Sequence, residues 1–230
     1  MSYVDAYLNK NSDTIHVVER VNGKREYREY PAEYIFYYDD PRGKFRTIYD
    51  TPVSRFVTRN GKEFRKEQAI QKGKNLYEAD INPIFRCLEN NYKGKDSPKL
   101  NVAFFDIEVD FDPERGYASP EDAFMPITAI AVHLQWMDTL VCLAIPPKTM
   151  SMDEALKAVE EFPNTMLFDN EADLLDTFLD LIQDADILTG WNSEGFDIPY
   201  TVNRVTKVLS KEDTRRFCLF DQLPKKREYE

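Results

Sequence analysis

Two carboxylates at alternate positions are the first residues whose types suggest chemistry. Asp106 and Glu108 lie in residues 101–110, a mainly apolar segment that predicts a β-strand. Because side chains alternate between the faces of a strand, both carboxylates should project from one face, roughly 6–7 Å apart. Two acids on a buried strand repel each other and lose hydration, and divalent cations offset both effects. The pair indicates a site for Mg²⁺ or Mn²⁺, although the same spacing also occurs at solvated strand ends.

A third acid follows in residues 187–200, which predict a strand, a sharp turn and the start of a helix. Gly190 and Gly195 permit tight backbone geometry in the turn. Asp197 begins the helix, and its carboxylate would lie at the strand-to-helix edge. At the Asp106–Glu108 pair, two ions about 3.5–4 Å apart could promote attack on a phosphodiester. An acid at this position is also favoured simply by the helix dipole, so both roles stay open on this segment alone.

Taken in order, these segments resemble family B DNA polymerases. Residues 105–108 (FDIE) are similar to exonuclease motif I, and residues 190–200 (GWNSEGFDIPY) are similar to motif II. Residues 77–81 with Arg86 are similar to the signature that precedes motif I. The N-terminal segment and residues 168–171 (FDNE) are most similar to the T-even-type bacteriophage branch. The resemblance covers nearly the whole chain and implies a polymerase that copies a DNA template and proofreads the primer 3′ end.

The resemblance also implies a 3′→5′ exonuclease site that holds two ions, Mg²⁺ or Mn²⁺. Asp106 would bridge both ions, and Glu108 would help to hold the ion that activates the attacking water. Asp197 would support the ion that stabilises the leaving oxygen. The metal ligands and catalytic acids implied for this chain are therefore the same three residues.

Three further residues are implied to contact the DNA substrate. Asn192 and Phe196 would contact the terminal nucleotide, and Tyr117 would stack on the frayed primer end, an interaction that tolerates any base. Core packing for Phe196 and a plain surface loop around Tyr117 are alternatives that the residues themselves leave open.

A fourth acid, expected in a later tyrosine-x-x-x-aspartate motif, is not found where the resemblance requires it. Three pairs mimic that spacing or its histidine variant, but they precede motif I, lie between the motifs, or follow motif II too closely. They are Tyr92 with Asp96, His133 with Asp138, and Phe217 with Asp221. The aspartates of a polymerase site are absent too. We therefore expect a chain that stops inside the exonuclease domain, as a cut piece or as one part of a naturally split polymerase.

The order of predicted strands and helices around these residues indicates a mixed α/β fold. Over the whole chain the fold class is α+β. We expect a β-rich N-terminal domain of residues 1–98 and a truncated RNase H-like exonuclease domain of residues 99–230, joined by the linker 91–98. In the first domain, Asn22-Gly23 predicts a hairpin turn, residues 34–38 predict a buried strand, and residues 55–74 predict a helix plus loop.

In the second domain, strands and helices are expected to alternate. Ser151 and Glu154 form a capping box for a helix to about Glu161, and Asn170 caps the next helix. The predicted strands are 101–110, 127–134, 139–145, 165–168 and 186–190.

Charge separates the two parts of the chain. Residues 1–100 carry a net charge of +4 and residues 101–230 a net charge of −15, out of −11 in total. Basic residues of the first part could contact single-stranded DNA, and the acidic part could act on DNA through bound metal ions. The three distant cysteines exclude a disulfide framework, and no apolar run reaches the roughly 20 residues that span a bilayer. We therefore expect a cytoplasmic protein with no membrane partner, in the host cytoplasm if the source is a bacteriophage.

Two other functions compete with the polymerase hypothesis. The chain could be a non-catalytic assembly subunit that binds the rest of a split polymerase and perhaps nucleic acid. It could also be a freestanding exonuclease of the same superfamily, against which the missing fourth acid counts. The partners expected under the main hypothesis are the single-stranded primer 3′ end and the remaining part of the polymerase.

Overall fold

The computed structural model describes residues 2–226. Its contacts divide the chain into two compact units, residues 1–99 and residues 100–230. Each unit has its own hydrophobic core. The first unit is rich in β-strands and the second mixes strands and helices, which confirms the predicted mixed α/β fold. Among the described residues, no helix combines the length and hydrophobicity needed to cross a membrane.

The first unit begins with an antiparallel sheet of three strands in the order β1-β2-β3. These strands are β1 (Ser2–Asn9), β2 (Thr14–Val21) and β3 (Lys24–Pro31). Asn22 and Gly23 connect β2 to β3 with φ values of 53° and 78°. Positive φ at both central residues is typical of the tight turn that matches strand twist, so the predicted hairpin is confirmed.

A second sheet has four strands in the order β5-β6-β4-β7. They are β4 (Tyr34–Asp39), β5 (Phe45–Arg46), β6 (Pro52–Thr58) and β7 (Leu76–Tyr77). The prediction of a helix plus loop from residue 55 is wrong at its start, because residues 55–58 belong to β6. Six residues of β6 pair with β4, where Phe56 lies opposite Phe36, and this tertiary pairing outweighs local propensity.

Two helices, α1 (Gly61–Ile70) and α2 (Pro83–Tyr92), complete the first core. The first packs on β4 and β6 of the four-stranded sheet, and the second packs on β1 of the three-stranded sheet. The Asn60 side chain caps α1 by accepting the N–H groups of Lys62 and Glu63. Phe64 of α1 then packs on Phe36 with a ring-centroid distance of 5.6 Å. Because α2 extends to Tyr92, the first two residues of the expected linker are helical.

The second unit contains a five-stranded sheet in the order β11-β10-β9-β8-β12. The three central strands are antiparallel to one another, and each outer strand is parallel to its neighbour. The strands are β8 (Val102–Val109), β9 (Ile127–Leu134), β10 (Thr139–Ala144), β11 (Thr165–Leu167) and β12 (Ile187–Thr189). All five strands predicted in this part of the sequence are present.

Three α-helices belong to the second unit: α3 (Met152–Ala158), α4 (Glu171–Leu181) and α5 (Asp197–Val208). The capping box of Ser151 and Glu154 forms as predicted. The helix that it opens ends at Ala158 rather than Glu161, because Pro163 disfavours helical backbone just beyond that point. Leu174, Leu175 and Phe178 of α4 are fully buried against the sheet. Short 3₁₀ helices lie at Gln135–Met137 and Asp213–Phe217.

Candidate functional site

Asp106 and Glu108 lie on the exposed face of the sheet in β8. The alternate residues Phe105 and Ile107 turn to the other face and are buried in the core. Asp106 lies opposite Ala131 and Glu108 opposite Ala129 on the antiparallel strand β9. These methyl side chains leave room above the sheet, so both carboxylates are open to solvent and to a ligand.

The exposed face of this sheet is partly apolar. Phe104 is 44% exposed beside Asp106, Leu140 of β10 is 57% exposed, and Ile187 of β12 is 40% exposed. The expectation that both acids lie in a buried environment is therefore wrong for this face of β8. Of the three acids, Asp197 is the one whose carboxylate is dehydrated.

Asp197 is the buried carboxylate of the candidate site, only 4% exposed at the first position of α5. Its Oδ1 accepts the backbone N–H of Ile107 in β8 at 3.2 Å. Burial raises the pKa of the Asp197 carboxyl, the N–H groups of Ile107 and Asp197 itself lower that pKa, and the nearby Asp106 carboxylate raises it again. Asp197 therefore lies beside β8, next to Asp106.

The turn between β12 and α5 brings Asp197 to this place. A side chain on Gly190 would put its Cβ 2.3 Å from the Phe105 carbonyl oxygen, so only glycine lets the chain cross β8 so closely. The next turn is closed by the Asn192 carbonyl, which accepts the N–H groups of Gly195 and Phe196 at 2.9 and 3.1 Å. Asn192 itself has a positive φ of 51°. The glycines of motif II thus have the backbone role expected from the sequence.

The predicted substrate contacts lie in different environments. Asn192 is exposed, and Phe196 is half-buried with its ring stacked on Tyr200 at 5.2 Å. The buried Tyr200 donates its hydroxyl hydrogen to the Met125 carbonyl at 2.8 Å. Tyr117 is exposed in the loop after β8 and touches the Phe111 ring, with centroids 4.9 Å apart. The position of Phe196 is compatible both with core packing and with contact to a nucleotide, because its ring is packed on Tyr200 and partly accessible.

Residues 2–226 contain no group of three His, Cys, Asp or Glu side chains already arranged to hold a metal ion. The structure brings Asp106 and Asp197 together, and it places Glu108 on the same strand face as Asp106. A buried carboxylate whose pKa is raised by a second carboxylate is an arrangement that a divalent cation would stabilise. Asp106, Glu108 and Asp197 offer carboxylate oxygens, which are the ligand atoms that Mg²⁺ and Mn²⁺ prefer.

The three pairs that mimic the missing motif have structural contacts instead. His133 stacks on Phe104 at 6.2 Å, and its Nε2 lies 3.6 Å from Oδ1 of the fully exposed Asp138. The Tyr92 hydroxyl donates to Glu19 in the first unit at 2.6 Å. Phe217 packs against Phe178 in the core, and the Asp221 carbonyl accepts from Arg215.

A buried ion pair that sequence reasoning missed holds α5 in place. Nε of Arg204 donates to Oε1 of Glu171 at 2.8 Å, and the second guanidinium nitrogen contacts Oε2. Each side chain is 10% exposed. Arg204 also donates to the Ala123 carbonyl, and Glu171 accepts the N–H of Ile127. The pair links α5, α4 and β9. The sequence signal for it was an arginine beside the apolar residue Val205 in α5.

Comparison with known families identifies the family to which the chain belongs. The model of the DNA polymerase family B exonuclease domain matches residues 52–229. The chain therefore belongs to the family B DNA polymerases and contains their exonuclease domain. The match begins within the first structural unit, ahead of motif I.

Curated relatives lead to the same family. The chain is 31% identical over 224 residues to a DNA-directed DNA polymerase of Escherichia phage RB69, covering 85% of this chain and 24% of that protein. A DNA-directed DNA polymerase of Enterobacteria phage T4 is 46% identical over 54 residues, or 23% of this chain and 6% of that protein. The DNA polymerase catalytic subunit of Saimiriine herpesvirus 2 is 32% identical over 118 residues, or 49% and 11%.

The predicted resemblance to family B polymerases, with its T-even-type character, is confirmed by these matches. The matches favour part of a polymerase over a non-catalytic assembly subunit. The chain spans about a quarter of the RB69 relative, 24% of its length.

Proposed function

We propose that the chain supplies most of the 3′→5′ proofreading exonuclease site of a DNA polymerase that also performs template-directed DNA synthesis. One observation carries this proposal. Asp197 of motif II binds the backbone N–H of Ile107 in motif I, across a sequence separation of 90 residues. The same contact puts Asp197 close enough to Asp106 to raise its pKa. Two carboxylates from the two motifs thus meet at one edge of β8.

Asp106, Glu108 and Asp197 are the residues that would hold Mg²⁺ or Mn²⁺. When bound, two such ions activate an attacking water and stabilise the leaving oxygen of a phosphodiester. Asp106 and Glu108 offer exposed carboxylates above a floor of alanines. Asp197 is held in one orientation by the Ile107 N–H, so its position is fixed before any ligand arrives.

Asn192, Phe196 and Tyr117 are the residues proposed to receive the single-stranded primer end. Phe196 presents a ring held by Tyr200, and Tyr117 presents an exposed ring that can stack on any base. Their partner is DNA, and because the relatives include phage polymerases the proposed site of action is the host cytoplasm.

The remainder of a polymerase, in the same chain or in a second one, would complete the site. In this proposal the exonuclease domain of residues 99–230 follows an N-terminal domain of residues 1–98 and lacks its fourth acid. The apolar residues Phe104, Leu140 and Ile187 on the open face are the natural surface for the segment that brings that acid. A site with three of four acids should be nearly inactive alone, since catalytic groups that act as a unit are strongly non-additive.

The test uses this chain joined to the remaining part of a related phage polymerase. A 5′-labelled single-stranded oligonucleotide should be shortened from its 3′ end in Mg²⁺. Asp106→Ala and Asp197→Asn should abolish shortening and leave primer extension intact, whereas Asp153→Ala, an exposed acid at the start of α3, should change neither. Unchanged degradation by both site variants would refute the assignment.

A further inference from the structure

The four-stranded sheet of the first unit has an exposed face whose side chains form a row across the strands. Register places Tyr37 of β4 opposite Arg55 of β6 on one side and opposite Tyr77 of β7 on the other. On the outer strand, Phe45 of β5 lies opposite Val53, two residues before Arg55. Because paired residues share a face, aromatic rings and a guanidinium alternate along this surface.

Tyr37, Phe45, Val53 and Tyr77 of this row line a cleft of about 490 Å³ together with residues 46–49 and Glu78, within the range of small-ligand sites of roughly 300–1,000 Å³. The rings of Tyr37 and Phe45 meet edge to face at 5.7 Å, and the Arg55 guanidinium lies 5.2 Å from the Phe45 ring centroid. The rim is the β5–β6 loop, where Ile48 and Tyr49 are 93% and 84% exposed. Flat apolar surfaces therefore face solvent at a concave site.

Hydrogen bonds connect backbone groups within the rim loop although its side chains are exposed. The Thr47 N–H donates to the Thr51 carbonyl, and the Thr47 hydroxyl oxygen accepts the N–H groups of Tyr49 and Thr51. A Cβ on Gly43 would lie 2.3 Å from Val53 backbone atoms, so glycine is needed where the chain leads into β5. The loop thus presents Tyr49 on a fixed backbone, which lowers the entropy cost of binding.

Basic side chains slightly outnumber acidic ones around the cleft. Residues 39–55 contain four basic side chains and three acidic ones, Asp39, Asp40 and Asp50. Arg46 lies 3.5 Å from Asp50, and Asp39 and Asp40 accept the hydroxyls of Tyr77 and Ser54. The Arg55 guanidinium lies over the Phe45 ring, where it can contact a phosphate while a base stacks on the neighbouring rings.

We propose that this cleft, here called the aromatic cleft, binds an unpaired base of single-stranded DNA, with the phosphates following the basic residues of 42–55. Bases stack on exposed aromatic rings whatever their sequence, and guanidinium groups such as that of Arg55 contact both phosphates and ring faces. A double helix does not offer its base faces, so the cleft selects single strands. The aromatic cleft contains none of the residues of the exonuclease site.

The experiment measures binding of the 230-residue chain to a fluorescent 12-mer of thymidine by anisotropy at low salt, without divalent metal. Tyr49→Ala and Phe45→Leu should each weaken binding about tenfold, in line with the loss of one stacked base. The first replaces an exposed side chain, and the second keeps an apolar side chain on β5, so both variants should fold, which circular dichroism checks. A 12-mer of abasic deoxyribose phosphate should bind as weakly as the variants do.

Phe85→Ala serves as the matched control, because Phe85 is an exposed aromatic of the same unit on α2; its affinity should equal that of the parent chain. The assay contains no divalent metal and measures no cleavage, so failure of the exonuclease proposal would not affect this result. Equal affinity for thymidine and abasic strands, or for single and double strands, would overturn the proposal. So would binding to a uridine 12-mer of RNA with none to DNA.

Discussion

Both units of this chain expose one face of a β-sheet and cover the other, yet the two exposed faces carry opposite chemistry. The face in the first unit presents Tyr37, Tyr77 and Arg55. The face in the second unit presents Asp106 and Glu108. On both sheets the covered side holds apolar residues that determine the fold, which leaves the exposed side free to vary in function.

The difference follows the charge of each half, +4 in residues 1–100 and −15 in residues 101–230. A cationic, aromatic surface can bind a nucleic acid strand directly. An acidic surface repels the same strand until metal ions neutralise its carboxylates. Under the two proposals above, one face would hold DNA and the other would cut it, and each of the following experiments changes one unit while leaving the other intact.

The largest expected effect concerns catalysis at the acidic face. The isolated chain should degrade single-stranded DNA several orders of magnitude more slowly than the completed polymerase, because two-metal hydrolysis requires every ligand in tight geometry. Adding the remaining polymerase portion should restore the rate, and Asp106→Ala should remove it again. Gel analysis of a 5′-labelled strand in Mg²⁺ measures the effect. Robust 3′→5′ degradation by the isolated chain would mean that another acid, such as Asp221, completes the site.

A second effect, on stability, concerns the ion pair that holds the acidic site together. Arg204→Met leaves the Glu171 carboxylate buried without its partner and should lower the free energy of unfolding by about 3–5 kcal/mol. The double variant Glu171→Leu/Arg204→Met should recover much of that loss, since no charge is then left buried. Urea unfolding followed by circular dichroism measures both. Arg216→Met, whose exposed pairs with Asp176 and Asp180 lie on the surface, should cost at most about 1 kcal/mol.

Much of this architecture could be predicted from the sequence because local signals agreed with the tertiary fold. The Asn22-Gly23 turn, the Ser151 capping box and the strand that carries Asp106 and Glu108 all depend on neighbouring residues. Motif II could be placed because Gly190 and Asp197 come in a fixed order around a sharp turn.

The remaining features depend on contacts between distant residues. β6 was taken for the start of a helical stretch because its pairing with β4 is invisible in residues 52–58 alone. The Arg204–Glu171 pair joins two helices separated by 33 positions, and a polar residue in an apolar stripe does not reveal its partner. The aromatic cleft needs strand order β5-β6-β4-β7, which is not sequential. Likewise, which face of β8 is covered depends on where α4 packs.

A smaller effect is expected for metal binding at the acidic face. Under the proposal that the fourth ligand comes from the rest of the polymerase, Mn²⁺ should bind this chain weakly, and Asp106→Ala should lower the affinity about tenfold. The Asp106 and Asp197 carboxylates lie close together and repel, so removing one takes away the main local attraction for the cation. Isothermal titration calorimetry with Mn²⁺ measures the change, with Asp138→Ala, a fully exposed acid, as the control. Equal binding by the parent chain and Asp106→Ala would remove Asp106 from the ligand set.

The smallest effect concerns basic residues of the first unit that lie outside the aromatic cleft. Lys62, Arg65 and Lys66 are exposed on helix α1, whereas Arg55 lies on β6 beside the Phe45 ring. The double variant Arg65→Glu/Lys66→Glu should weaken single-stranded DNA binding two- to fivefold at low salt and hardly at all at high salt, in keeping with the roughly 0.7 counterions released per phosphate contact on single strands. The Tyr49→Ala loss should persist at high salt, because stacking on a base depends little on ionic strength. Anisotropy titrations at two salt concentrations separate these contributions. If charge reversal on α1 matched or exceeded the Tyr49→Ala effect at both concentrations, the helix would be the main DNA contact and the sheet face a minor one.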